Sequence, residues 1–244
     1  MESVESVVNV KSNQRQRPDS ESSETRSRLL EVGTRLFAES GFKGASVREL
    51  CAEAGANIAA VRYHFGGKEG LYRAIFEATL DEDESRFRVA MDNINTVIDN
   101  ANGDRHQLGI ALELYIKSFF ARFPLNEHKR WFSVLVMREL SFPGQGFDLI
   151  YERRAKPSQQ VLARLVAASD DIDKNSEFAR LQAHALNGTI MGVIISRNIL
   201  LRAMQWQSFT PEKLTSLLDV ISKLLYSALS LTPPQPTRAS GEVS

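Results

Sequence analysis

The twelve residues from Ser46 to Asn57 constrain this chain more than any others. Ser46-Val47-Arg48-Glu49 matches the S-x-x-E capping box, in which a hydroxyl and a carboxylate satisfy each other's orphan amides at a helix start. Behind it, Val47, Leu50, Cys51 and Ala54 recur at i, i+3, i+4 and i+7, one apolar stripe on a short helix. Gly55 stands where a left-handed C-cap is wanted, and Asn57 is a good N-cap for a second helix. Ile58 to His64 has room for less than two turns before the Gly66-Gly67 pair breaks the chain. Helix, tight glycine-containing turn, helix is the helix-turn-helix plan.

The pattern stays helical on both sides of this motif, and no run alternates as a strand would. A first helix is expected over about Glu24–Glu39, with Leu29, Gly33, Leu36 and Phe37 on one face and a stop at Ser40-Gly41. Lys68 should start a long helix through Leu71, Tyr72, Ile75, Phe76 and Leu80 to about Asn95. Further helices are expected near Gln107–Arg122, Glu127–Leu140, Phe147–Ala168, Ser176–Gln205 and Pro211–Ser230, about nine in all. Asn126 and Thr210 serve as N-caps, Pro211 takes the first helical position, and Pro157 should kink the helix that contains it. Residues 1–23 lack apolar periodicity and read as a disordered arm, and the Pro- and Ser-rich residues 232–244 read as a loose tail. The expected fold class is all-α.

Composition matters chiefly for what it excludes. No apolar run, Ile190–Ile195 included, approaches the roughly 20 residues that a bilayer span needs. No basic n-region with an apolar h-region opens the chain, so a cytoplasmic protein without membrane attachment is expected. The single cysteine, Cys51, fits a reducing compartment and sits on the apolar stripe as a small core residue. There is no G-x-S-x-G elbow, Walker loop, Rossmann glycine pattern or H-E-x-x-H. His64, His106, His128 and His184 are dispersed, so neither a metal nor a cofactor is expected, and an enzyme is the least favoured class. The 30 basic and 30 acidic residues cancel, which on its face argues against a nucleic-acid partner.

Leu36-Phe37, Gly41-Phe42, the Ser46 cap, Ala54-Gly55, Tyr63-His64-Phe65, Lys68-Glu69 and Leu71 nevertheless resemble the DNA-binding domain of the TetR/AcrR family of bacterial transcriptional regulators. The match runs over about Thr25–Leu80 without a gap. The resemblance implies a three-helix helix-turn-helix domain over 24–80, its linking helix running on to about 95, whose third helix enters the major groove. It also implies that 81–231 is a helical ligand-binding and dimerisation domain.

The residue chemistry agrees with this. A helix-turn-helix sets the N-terminal part of its second helix against base edges. Here that helix offers Asn57, Ala59, Ala60, Arg62 and Tyr63 outward, leaving Ile58, Val61 and Phe65 for the core. The alanines allow close approach to a thymine methyl, and Arg62 or Arg48 could pair bidentately with guanine. Arg48 could equally be a solvated arginine. Ser46 is first a structural cap, with a phosphate contact second. Tyr63 and His64 resemble family positions whose rings touch phosphate or base. Lys68 opposes the macrodipole at a helix start, where its charge and the free amides make an anion site. It matches the family's phosphate-contacting lysine.

The C-terminal half is similar to the CecR-like branch through Met137-Arg138-Glu139-Leu140, Pro143 and Pro157 before Val161-Leu162 and Leu165; Asn57-Ile58-Ala59-Ala60 belongs to the same likeness. Phe119, Phe123, Trp131, Met137, Phe147 and Tyr151 could line a pocket for a small apolar or aromatic effector, with Arg138, Glu139 and His184 as polar handles. Most of these could instead be ordinary core, and Arg138, Glu139 and His184 could form a satisfied helix–helix network. Gly188 and Gly192, four apart beside Ile195 and Ile199, let another helix come close. Leu214, Leu217, Leu218, Ile221 and Leu225 give the last helix a surface too wide for one packing partner. A two-fold dimer through a four-helix bundle would cover both.

The function expected is a homodimeric regulator, a repressor released from a palindromic double-stranded DNA operator by a small-molecule effector. A ligand-independent regulator or an activator is the alternative. Glu24–Leu80 carries eight basic and seven acidic residues, so this head cannot bind DNA by bulk charge. It needs a few placed donors and a second subunit to double them. Lys11, Arg15 and Arg17 of the arm could add electrostatic reach.

Overall fold

α1 (Gln16–Gly44) opens the computed structural model, which describes residues 16–121 and 127–234. It starts inside the stretch expected to be a disordered arm, and Gly41 (φ 72°) interrupts its helical backbone where a stop was expected. Lys11, Arg15 and residues 235–244 of the expected tail lie outside the described residues. The described residues are all-α, with no strand among them.

One compact unit contains the described part of Met1–Thr79 together with Glu127–Gly146. It holds α1, α2 (Val47–Ala54), α3 (Ile58–Phe65), most of α4 (Lys68–Asp81) and α7 (Glu127–Ser141). Its core is built from Leu29, Leu36 and Phe37 of α1, Leu50 of α2, Val61 of α3 and Leu71, Ile75 and Phe76 of α4, all at most 3% exposed. Tyr72 lies at the centre of a ring cluster, with centroids 5.0 Å from Phe37, 5.1 Å from Phe42 and 5.2 Å from Phe76. Phe76 in turn meets Phe132 of α7 at 5.5 Å. Edge-to-face pairs of this kind add about 0.5–1.5 kcal/mol each beyond their buried area.

α7 therefore packs with the reading-head helices, although it lies far beyond them in sequence. Two adjacent side chains hold it. Arg138 donates from Nε to the Ala38 carbonyl and from Nη2 to the Glu39 carbonyl, both at 3.2 Å, and so satisfies the open end of α1 before Gly41. Glu139, 4% exposed, accepts from Tyr72 Oη at 2.7 Å and from the Gly144 and Gly146 amides at 2.9 and 3.0 Å.

The other unit contains Leu80–Asn126 and Phe147–Ser244. It holds α5 (Glu84–Ala101), α6 (Arg105–Phe120), α8 (Phe147–Ile150), α9 (Lys156–Asp170), α10 (Glu177–Ile195), α11 (Arg197–Ala203) and α12 (Pro211–Ala228). Met91, Ile94, Leu112, Tyr115, Leu162, Leu165, Ala183, Ile221 and Leu225 share its core. Arg105 clamps two helix ends, donating from Nη1 to the Ser169 carbonyl at 3.1 Å and from Nη2 to the Leu229 carbonyl at 2.9 Å.

Twelve α-helical segments are described where about nine were expected, because three expected helices are divided. The Lys68 helix ends at Asp81 rather than near Asn95. Four consecutive acids, Asp81 to Glu84, oppose the macrodipole at the end of α4 and favour a new helix start. Arg154 donates to the freed Leu80 carbonyl there. Ser196 divides α10 from α11, its hydroxyl donating back to the Gly192 carbonyl at 2.6 Å. Ahead of Pro157, where a kink was expected, the helix passes through a π-helical turn (Tyr151–Ala155). Proline has no N–H to offer the Arg153 carbonyl, and Arg154 Nη1 fills that place at 2.9 Å.

Candidate nucleic-acid interface

Capping fixes the two helices of the motif. Ser46 Oγ accepts from the Glu49 amide at 3.1 Å to start α2, and Gly55 (φ 60°) closes it in the left-handed region, where glycine avoids the cost a Cβ brings. Asn57 Oδ1 accepts from the Ala60 amide at 2.8 Å and starts α3. The side-chain oxygen of Asn57 is therefore engaged in the cap, leaving its NH2 group as the free polar end. Arg28 Nε donates to the Ala54 carbonyl at 3.1 Å and ties α1 to the end of α2.

Of the expected DNA-facing groups, Asn57, Ala59, Ala60, Tyr63 and His64 line one shallow surface depression. Ser46, Arg48, Asn57, Ala59, Arg62 and Tyr63 are exposed, Tyr63 at 81%. Ala60 and His64 are half-buried beside them, the His64 ring 4.9 Å from that of Tyr63. Neither Arg48 nor Arg62 forms an ion pair among the described residues, so both guanidinium groups remain available as donors. Lys68 opens α4 with Nζ 4.8 Å from the centroid of the Phe42 ring. Lys68 is itself the first residue of that helix, whose first-turn amides have no intrahelical partner.

Two features depart from the sequence reading. Ile58, expected in the core, is 46% exposed. It occupies the first turn of α3, so only Val61 and Phe65, one turn apart, reach inward, and Ile58 adds an apolar contact to the outer face. Gly70 was given no role. A Cβ there would lie 1.7 Å from the Phe65 carbonyl oxygen, so the approach of α4 to the end of α3 requires glycine. A glycine inside an otherwise regular helical pattern was the available signal.

Residues 29–75 match the bacterial regulatory proteins of the tetR family, and residues 110–229 match the C-terminal domain of the HTH-type transcriptional dual regulator CecR. The chain belongs to the TetR family. CecR of Shigella flexneri is 27% identical over 190 residues, covering 78% of this chain and 84% of that protein. The transcriptional regulator YttP of Bacillus subtilis is 33% identical over 72 residues, 30% of this chain and 35% of its own. A solved TetR-family regulator of Mesorhizobium loti shares the fold with a TM-score of 0.51 at 17% identity, covering 86% of this chain and 96% of that one. This TetR-family chain is accordingly a DNA-binding transcriptional regulator and not an enzyme. No helix among its described residues is long and apolar enough to cross a membrane.

The residues considered for an effector pocket are distributed over both units. Trp131, Met137 and Arg138 lie on α7 of the first, and the Arg138 guanidinium is engaged by the Ala38 and Glu39 carbonyls, the network alternative rather than a free handle. In the second unit, Phe119 packs against the core, Phe147 and Tyr151 stack at 6.0 Å, and His184 is exposed on α10. Phe123 lies outside the described residues.

The residues considered for self-association also divide. Ile195 and Ile199 are 64% and 72% exposed, Gly188 is exposed and Gly192 half-exposed. On α12, Ile221 and Leu225 are 3% and 2% exposed and belong to the core of their own subunit, against which Leu217 and Leu218 also pack. Leu214 is half-buried. The outward apolar groups of α12 are instead Val220 and Leu224, 56% and 55% exposed.

Proposed function

We propose that this TetR-family regulator acts as a two-fold dimer that reads a palindromic operator, and that it is a repressor released by a small apolar or aromatic molecule. One observation carries the dimer. Phe178, Leu181, Ala185, Gly188, Gly192, Ile195 and Ile199 alternate in steps of three and four residues along α10 into α11, the spacing of a helix–helix seam. All are exposed except the half-exposed Gly192. A Cβ built on Gly188 or Gly192 meets nothing within 4 Å, so nothing inside the subunit uses their smallness. Small residues at the middle of the seam with large apolar ones at both ends suit a second copy crossing there. Val220 and Leu224 supply the adjoining contact from α12.

Dimerisation doubles the few donors of a head that bulk charge cannot hold on DNA, and a two-fold protein matches a two-fold site. Effector release requires a ligand that binds the two states of the dimer with different affinity. The stacked Phe147–Tyr151 pair beside the π-helical turn is the candidate ring platform in the second unit, since such turns are frequent at functional sites. A second reading, activation alongside repression, takes its support from the name of the CecR relative, a dual regulator.

Selecting duplexes from a random-sequence library with the full chain tests this reading. The selected sites should be inverted repeats with half-site centres about one helical turn or a multiple apart. An unrepeated single half-site would contradict it.

A further inference from the structure

The stretch expected to be a disordered arm instead brings an acid to the reading face. The first turns of α1 and the start of α3 wall a shallow surface depression, with Glu21, Ser22 and Thr25 on one side and Asn57, Ala60 and Tyr63 on the other. A hydrogen-bond chain joins that wall to α2. Thr25 Oγ1 donates to the Glu21 carbonyl at 2.9 Å and accepts from Arg28 Nη2 at 3.1 Å, and the same Arg28 holds the end of α2. Glu21 itself is exposed and makes no ion pair among the described residues.

The macrodipole does not explain the position. Glu21 is the sixth residue of α1, beyond the first turn, where the macrodipole favours acids. With 16–23 included, the head carries nine basic and nine acidic residues and is formally neutral. A carboxylate beside α3 with no ion pair among the described residues therefore weakens attraction to any phosphate backbone. That loss is recovered only where the DNA offers the carboxylate a donor. In the major groove, the donor suited to a carboxylate is the N4 amino group of cytosine.

We propose that Glu21 is a specificity-determining residue of the DNA interface, accepting a hydrogen bond from a cytosine amino group in each half-site and repelling DNA that lacks it. Arg17, in the same helical extension, does not change this charge balance, because Asp19 offsets it. The inference rests on the α3 reading face described above.

The test uses the full-length chain, duplexes selected from a random library by the wild type, and an unrelated duplex of equal length. The wild-type consensus should hold a fixed cytosine in each half-site. Glu21→Ala should lower the ratio of operator to unrelated-duplex affinity by about tenfold, the scale of one base-specific hydrogen bond, and its own reselected consensus should lose that cytosine. Binding to the unrelated duplex should strengthen. Equal strengthening on both duplexes would show that the acid only repels phosphate and would overturn the proposal, as would no change on either. Tyr63→Ala separates the two readings. If it weakens operator binding while Glu21→Ala leaves the ratio intact, Glu21 alone is misassigned; if Tyr63→Ala also has no effect, the reading face itself is wrong.

Discussion

Tyr72 of α4 donates its phenolic hydrogen to Glu139 of α7 at 2.7 Å, across 67 residues of sequence. Burial, and then the hydrogen bond to Glu139, push the Tyr72 hydroxyl well above its ordinary pKa, so it remains a donor throughout the working pH range. Removing that donor leaves a buried carboxylate one partner short. Tyr72→Phe, which keeps the ring packing, should cost about 1–3 kcal/mol in urea unfolding. A change below about 0.5 kcal/mol would show that the bond adds little beyond the ring.

Gly70 sets how closely α4 can approach α3. With Phe65 O only 1.7 Å from a Cβ at this position, Gly70→Ala must displace backbone rather than a side chain. The expected loss is about 1–3 kcal/mol or more, with operator affinity falling because α3 moves. Thermal melts and gel shifts on the same preparation check both effects. An unchanged operator affinity would show that the α3–α4 spacing is not critical for reading.

Glu84 gives a pH signature in the second unit. Burial alone would raise its carboxyl, but hydrogen bonds from Arg154 at 2.6 Å and Arg153 at 2.9 Å, with their charges, outweigh this and hold it below the usual range. A depressed folded-state pKa stabilises the fold above the unfolded value of about 4.3 and ceases to do so as the pH falls through the folded value. Wild type should therefore exceed Glu84→Gln in melting temperature at pH 7, and the gap should close below about pH 4. A gap independent of pH would assign the effect to packing. The carboxylate is 41% exposed, so solvent screening limits the size of the gap.

The outward seam and the core face of the last helices predict opposite failures. Ile199→Asp should give a folded monomer in sedimentation equilibrium. Ile221→Asp should unfold the subunit, by well over 2 kcal/mol, because it buries a charge without a partner. A stable dimer of Ile199→Asp would place self-association elsewhere.

The reading head was largely legible because its signals are local. The Ser46 and Asn57 caps and the Gly55 stop act within a few residues, and each occurs where the sequence placed it. What escaped depends on distant partners. The α12 pattern is apolar around much of its circumference, so periodicity alone could not tell that Ile221 and Leu225 face inward while Val220 and Leu224 face outward. Arg138 and Glu139 were recognisable as a pair with two possible roles. Their choice between pocket and network depends on Ala38 and Tyr72, which no local pattern connects to α7. The division of the Lys68 helix was visible in the run of four acids, but the apolar periodicity continuing beyond it concealed the break.

The salt dependence of operator binding by wild type and Lys68→Ala, with Tyr63→Ala measured alongside, tests the α3 reading face most directly. If the α3 face and the start of α4 hold the DNA, Lys68→Ala should weaken binding to all duplexes and reduce the magnitude of the log–log salt slope by about 0.9 for each phosphate no longer neutralised. Tyr63→Ala should weaken operator binding at every salt concentration. Operator affinity and salt slope unchanged in both variants would mean that DNA binds somewhere else on this protein.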